Sequence, residues 1–134
     1  YLTDDSVKNN IAFGISSGVN EKKIWNLLKM FDLDSIIKKL PNGIDSHVGE
    51  RGVSLSGGQI QRIGIARALY FDPKILILDE ATNALDEKVE KKTLESIVNY
   101  KKELTIVIIT HGNQGLKYCN KIYKIKNGKL LKTI

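Results

Sequence analysis

Cysteine is nearly absent from the 134 residues: Cys119 stands alone, which excludes an internal disulfide framework and fits a buried thiol in a reducing compartment. No apolar run approaches the roughly 18 residues that cross a membrane, and no charged-then-apolar leader is present. Arginine is scarce as well. Only Arg51, Arg62 and Arg67 occur, and the other 18 basic residues are lysines scattered along the chain. The net charge of +6 therefore reads as a solvated lysine surface rather than a nucleic-acid patch. Three arginines within one short stretch predict specific geometric jobs there. The phosphate-cradling motif G-x-x-x-x-G-K-[ST] is also missing: the only Gly-Lys pair, Gly128-Lys129, is followed by Leu130. The first residue is Tyr1, so the chain is expected to be part of a longer protein.

What is present suffices for a folded core, since 42% of the residues are hydrophobic. Residues 3 to 40 read as helical. Ile24, Leu27, Leu28 and Phe31 follow one helix face, and Asn20 is suited to cap it. Leu33, Ile36, Ile37 and Leu40 make a second stripe, stopped by Pro41-Asn42-Gly43. Trp25 is expected to pack at this helical core. A glycine-punctuated loop follows, then a helix over 56–71 with Ile60, Ile63, Ala66 and Leu69 apolar. From Lys74 the period changes. "ILIL" (75–78) and "LTIVIIT" (104–110) are continuous apolar runs, the pattern of strands buried on both faces of a parallel sheet. Between them, 85–100 reads as a helix with Leu85, Val89, Leu94, Ile97 and Val98 inward. That order predicts a β-α-β unit. Residues 121–134 read as a hairpin turning at Asn127-Gly128.

Three places can carry chemistry. In "SLSGGQIQRIGIARAL" (54–69), Ser56, Gly57 and Gly58 precede an amphipathic helix. Free N–H groups, no Cβ in the way and a helix dipole make such a start an anion site. Gln59 and Arg62, one turn apart, can donate toward the same anion. The structural alternative is a capped helix after a loop. Asp79-Glu80 ends the first strand, at the edge where α/β sheets bind ligands. Thr110-His111 ends the second, which brings His111 to the same edge, where it can donate to a phosphate or orient a water.

These residues carry a resemblance. "LSGGQ" (55–59) with "IQRIGIARAL" is similar to the signature motif of the ATP-binding cassette (ABC) ATPases. "ILILDEATNALD" (75–86) resembles their Walker B strand, catalytic glutamate and D-loop, and "VIITH" (107–111) their switch-histidine strand. The N-terminal "YLTDDSVKNNIAFG" resembles the segment just after the Q-loop. The resemblance runs over essentially the whole chain and implies an α/β fold. That fold comprises a partial RecA-like P-loop NTPase core, a parallel sheet with helices, together with the ABC α-helical subdomain. The helical subdomain with X-loop and signature motif would span 1–72, and the C-terminal half of the ATPase core 73–134. The half that holds the nucleotide is missing, so an isolated fragment is expected to be inactive and to leave a sheet edge open.

The resemblance also implies roles. Asp79 would hold Mg²⁺, Glu80 would be the general base or water-orienting carboxylate, and His111 would contact the γ-phosphate of ATP. Ser56, Gly57, Gly58 and Gln59 would reach ATP held by a second nucleotide-binding domain in a head-to-tail dimer, and Asp86 would link the two sites. "VGERG" (48–52) resembles the X-loop of exporters, with Glu50 near the coupling helices of a transmembrane domain. Ala81 in "DEAT" and this X-loop favour an exporter or flippase at the cytoplasmic face of the inner membrane. Its substrate would be a lipid, a lipid-linked saccharide, a peptide or a drug. Asn83 replaces the serine more common before "ALD". Two alternatives are an ABC-type ATPase of DNA repair or chromosome maintenance, and a non-enzymatic binding module.

Overall fold

The computed structural model describes residues 1–50 and 52–132, with only the backbone of Lys132. Arg51 and the last two residues of the expected hairpin lie outside the described residues. The chain runs β1 (Asp5–Ser6), α1 (Val7–Ile11), α2 (Glu21–Met30), α3 (Asp34–Lys38), β2 (His47–Val48) and α4 (Gly57–Tyr70). It continues with β3 (Ile75–Asp79), α5 (Glu87–Val98), β4 (Thr105–Ile109), β5 (Tyr123–Lys126) and β6 (Lys129–Lys132). Asn20 does cap α2: its side chain accepts from the Lys23 N–H at 3.0 Å. The stripe Ile24, Leu27, Leu28 and Phe31 is buried, and Trp25 packs half-buried against this core.

Helix α4 is the hub. It packs on α1 and α2, with Ile63, Ile65, Ala66, Leu69 and Tyr70 buried. Its arginines do structural work. Arg67 donates through Nε to the Asn10 carbonyl (2.6 Å) and through Nη2 to Asn10 Oδ1 (2.8 Å), fixing α1. Asn10 is fully buried and closes its remaining capacity on Thr3 and Ser6. Arg62 is not left free for an anion, as its spacing suggested: its Nε donates back to the Gly58 carbonyl at 3.2 Å. Its Nη1 donates to the Phe31 carbonyl at the end of α2 (2.7 Å), where the last-turn acceptors of a helix need a donor.

β3 and β4 pair in parallel, Ile75 with Thr105 through Asp79 with Ile109, with α5 crossing between them. The expected β-α-β unit is present. The expectation of strands buried on both faces is corrected. Leu76 and Leu78 are buried, but Ile75, Ile77, Val107 and Ile109 are exposed, because the described residues place helices on one face only. Val98 is likewise exposed; on α5 Thr93, Leu94 and Ile97 are buried. The hairpin β5–β6 turns at Asn127 (φ 51°) and Gly128 (φ 71°), the two left-handed residues of a type I′ turn.

Candidate functional site

The N-terminus of α4 is built as a capping box. Ser56 Oγ accepts from the Gln59 N–H (3.3 Å), and Gln59 Oε1 accepts from the Ser56 N–H (2.8 Å). Ser56 and Gln59 therefore spend their side chains on the helix itself. Among the described residues the N–H groups of Gly57 and Gly58 are left as the unshared donors of the first turn, at the positive end of a 14-residue helix. Gly58 is closely packed: a Cβ there would stand 3.1 Å from Leu85 Cδ2 and 3.3 Å from the Ala84 carbonyl, so a larger residue would need those neighbours to give by a few tenths of an ångström. The first turn of α4 is thus seated on the turn that follows β3. Gln61, one turn along α4, accepts the Ala84 N–H at 3.0 Å.

The second cluster sits at the C-terminal ends of β3 and β4. Glu80 takes a left-handed backbone (φ 47°), uncommon for a residue with a Cβ. Its N–H donates to the Ile109 carbonyl at 3.0 Å, so the ladder runs one residue past the strand. The twist brings Glu80 Oε1 to 3.0 Å from His111 Nε2, the contact expected of residues ending adjacent parallel strands. His111 is 91% exposed and free to turn. Asp79, also exposed, precedes Glu80, and its carboxylate makes no hydrogen bond or ion pair among the described residues. Asp86 caps α5 by accepting the Val89 N–H at 3.0 Å. Glu50 is exposed beside Gly49 and lines a shallow groove with Tyr1, Leu2, Val53 and Leu55.

The sequence reading missed two members. Asn83 donates from Nδ2 to Glu80 Oε2 at 3.1 Å, and Gln61 holds Ala84. Both lie in stretches already singled out, but a hydrogen bond between turn and helix leaves no periodic signal.

The family profile described as "ABC transporter" matches residues 3–83. The chain belongs to this family. It is 42% identical, over 97% of its length, to the ATP-dependent lipid A-core flippase of Desulfotalea psychrophila. It is 40% identical, over 98%, to the heterocyst differentiation ATP-binding protein HepA of a Nostoc species. The solved structure of a bacterial Atm1-family ABC exporter with ATP bound superposes on 97% of the chain with a TM-score of 0.86 and 35% identity. The chain spans 23% of the flippase, 21% of HepA and 23% of the exporter chain. The α/β class read from the ABC motifs therefore stands, as a fragment of an exporter-type nucleotide-binding domain. The DNA-repair alternative finds no support in these relatives.

Proposed function

We propose that this chain is the C-terminal part of the ATPase domain of an ABC exporter or flippase, coupling ATP hydrolysis to transport of a lipid, lipid-linked saccharide, peptide or drug. In this reading residues 1–72 are the helical subdomain and 73–134 the second half of the ATPase core. A P-loop outside this sequence holds ATP, and a second nucleotide-binding domain faces it head to tail. A transmembrane domain contacts Glu50, which sets the domain at the cytoplasmic face of the inner membrane. The observation that carries the reading is the Glu80–His111 pair at the strand ends, with a left-handed Glu80. Backbone conformations of this kind concentrate at functional sites.

The chemistry follows from these groups. Glu80 accepts a proton from, or orients, the water that attacks the γ-phosphate, and His111 turns its exposed ring to donate to the phosphate oxygens. The Gly57 and Gly58 N–H groups present two donors to the γ-phosphate held by the facing domain, and this contact forms only when the dimer closes. Asp86 links the sites across that interface. Mg²⁺ fits the residues present: Asp79 offers an exposed, unshared carboxylate, the hard oxygen donor the ion prefers. No cluster of three metal-ligating side chains exists among the described residues, so the ion would be shared with the nucleotide phosphates. Bound Mg²⁺ supplies charge neutralisation at the transferring phosphoryl group.

The test is Glu80→Gln in the complete protein. Steady-state ATP turnover is expected to fall by at least about 100-fold with ATP binding retained, the range for loss of a general base. Parental turnover would remove Glu80 from this role.

A further inference from the structure

Glu80 is held more closely than its place at a strand end requires. Its N–H is bonded to the Ile109 carbonyl (3.0 Å), and its own carbonyl accepts the Asn83 N–H (3.2 Å), closing a four-residue turn. The side chain is then gripped at both oxygens. Oε1 faces His111 Nε2 at 3.0 Å, and Oε2 accepts from Asn83 Nδ2 at 3.1 Å. A carboxylate only accepts, so the amide must present its nitrogen, and the orientation of Asn83 follows from its partner. The turn around Asn83 is itself anchored on both sides. Thr82 Oγ1 donates to Glu90 Oε1 on α5 (2.8 Å), and Ala84 N–H donates to Gln61 Oε1 on α4 (3.0 Å). An exposed amide between two tethered neighbours keeps its direction without being buried.

We propose that Asn83 is a positioning residue for hydrolysis, its amide fixing the Glu80 carboxylate in the orientation that serves the attacking water. The inference rests on the role proposed above for Glu80. The two grips differ in permanence. His111 is exposed and has a second task at the phosphate, and turning toward it releases Oε1. Asn83 belongs to the same turn as Glu80, so its donor stays on Oε2 when His111 leaves. A neutral amide suits this post because it adds a donor without adding charge beside Asp79 and Glu80. A misoriented carboxylate costs rate rather than nucleotide affinity, because the amide touches Glu80 and not ATP.

The experiment uses the complete protein and compares N83D, N83A and E80Q by ATP turnover, KM for ATP and thermal midpoint. Aspartate serves a turn as well as asparagine, so a residue that merely shapes the turn tolerates N83D. A residue that donates to Glu80 does not, because N83D replaces the donor with a second carboxylate. The expected result is a kcat lowered about tenfold or more in N83D and by a smaller factor in N83A, with KM and midpoint unchanged. A kcat for N83D within about twofold of the parent overturns the proposal. Should N83D lower the midpoint, N83A decides: reduced kcat at parental midpoint supports the role, and parental kcat removes it. E80Q separates the two levels. Full turnover in E80Q defeats the reading of Glu80 itself, whereas an inactive E80Q beside a parental N83D defeats only the role of Asn83.

Discussion

Within residues 1–72 the large apolar side chains Ile11, Ile24, Leu28, Phe31, Leu33 and Ile37 are at most 2% exposed. Within residues 73–134 Ile75, Ile77, Ile109 and Ile125 stand between 49% and 75% exposed. Both stretches are written in the same apolar vocabulary, so composition does not separate them. The difference is in what each element needs. A helix buries one stripe, and the neighbouring helices α1, α2 and α4 supply the cover from within about 70 residues. A strand with a continuous apolar run has two apolar faces, and each needs its own layer. Here Leu76 and Leu78 are buried in one hydrophobic cluster with Ile63, Ile65, Leu94 and Ile97 of α4 and α5, whereas Ile75 and Ile77 stay 61% and 63% exposed among the described residues. The helical region thus buries its stripes within one cluster that it shares with Leu76, Leu78, Leu94 and Ile97. The strand region records, in "ILIL", a second layer that the proposed ATPase domain would supply from sequence outside these residues.

The sharpest way to break this comparison is a pair of truncations in the 134-residue chain. Phe31→Ala removes a side chain that is 2% exposed within the helical core, and is expected to cost about 3–5 kcal/mol in denaturant unfolding. Ile77→Ala removes one that is 63% exposed, and is expected to change stability by no more than about 0.5 kcal/mol. In the complete protein the same Ile77→Ala change is expected to cost about 1 kcal/mol or more, because the face is then covered. Equal costs for Phe31→Ala and Ile77→Ala in the short chain would erase the distinction between the regions.

A smaller effect tests how the helical region is held. Arg67 is the fork that satisfies Asn10 at 2.6 and 2.8 Å, so Arg67→Ala leaves a buried acceptor without its donor. The expected loss is about 1–3 kcal/mol. Arg67→Lys is expected to recover less than half of it, because one ammonium cannot reproduce two donors of fixed geometry. Full rescue by lysine would mean that charge, not the fork, holds α1 on α4.

Much of this was legible in the sequence where the physics is local. Asn20 before a stripe, Ser56 three residues before Gln59, and Asn127-Gly128 between apolar runs each act through the backbone of their own segment. The placement of His111 beside Glu80 followed from a single tertiary rule, that consecutive parallel strands end on one edge. Three things escaped because they depend on who packs where. Arg62 donates to the Gly58 and Phe31 carbonyls rather than being left free for an anion. Val98 faces outward although its spacing matched the stripe. Asn83 met Glu80 only because Glu80 adopts a left-handed φ, which no residue type at that position announces.

A smaller effect than that of Arg67 lies at the join between the two regions. Asp72, left-handed at φ 51°, follows α4 and carries ion pairs to Lys23 of α2 and Lys101 after α5, and it accepts from the Tyr100 hydroxyl at 3.1 Å. Lys101 first and Lys23 second hold its carboxyl well below the ordinary aspartate range, while burial and Asp72 push the Tyr100 phenol up to about 12. Asp72 is about half exposed, so water and salt screen these pairs, and Asp72→Asn is expected to cost no more than about 1 kcal/mol near neutral pH. The sign is fixed by the direction of the shift. A carboxyl whose folded pKa is depressed stabilises the fold above its unfolded value of about 3.9, and that contribution disappears as pH falls through the folded value. The gap in thermal midpoint between parent and D72N should therefore be widest at neutral pH and low salt. It should shrink as pH falls below about 4, and also in about 1 M salt, where the screening length drops to roughly 3 Å. A gap that ignored both salt and pH would assign Asp72 to shaping the turn after α4 through its left-handed backbone, and the join would then rest on packing and on its other polar links, such as Ala84 N–H to Gln61 and the Tyr100 hydroxyl to the Leu69 carbonyl.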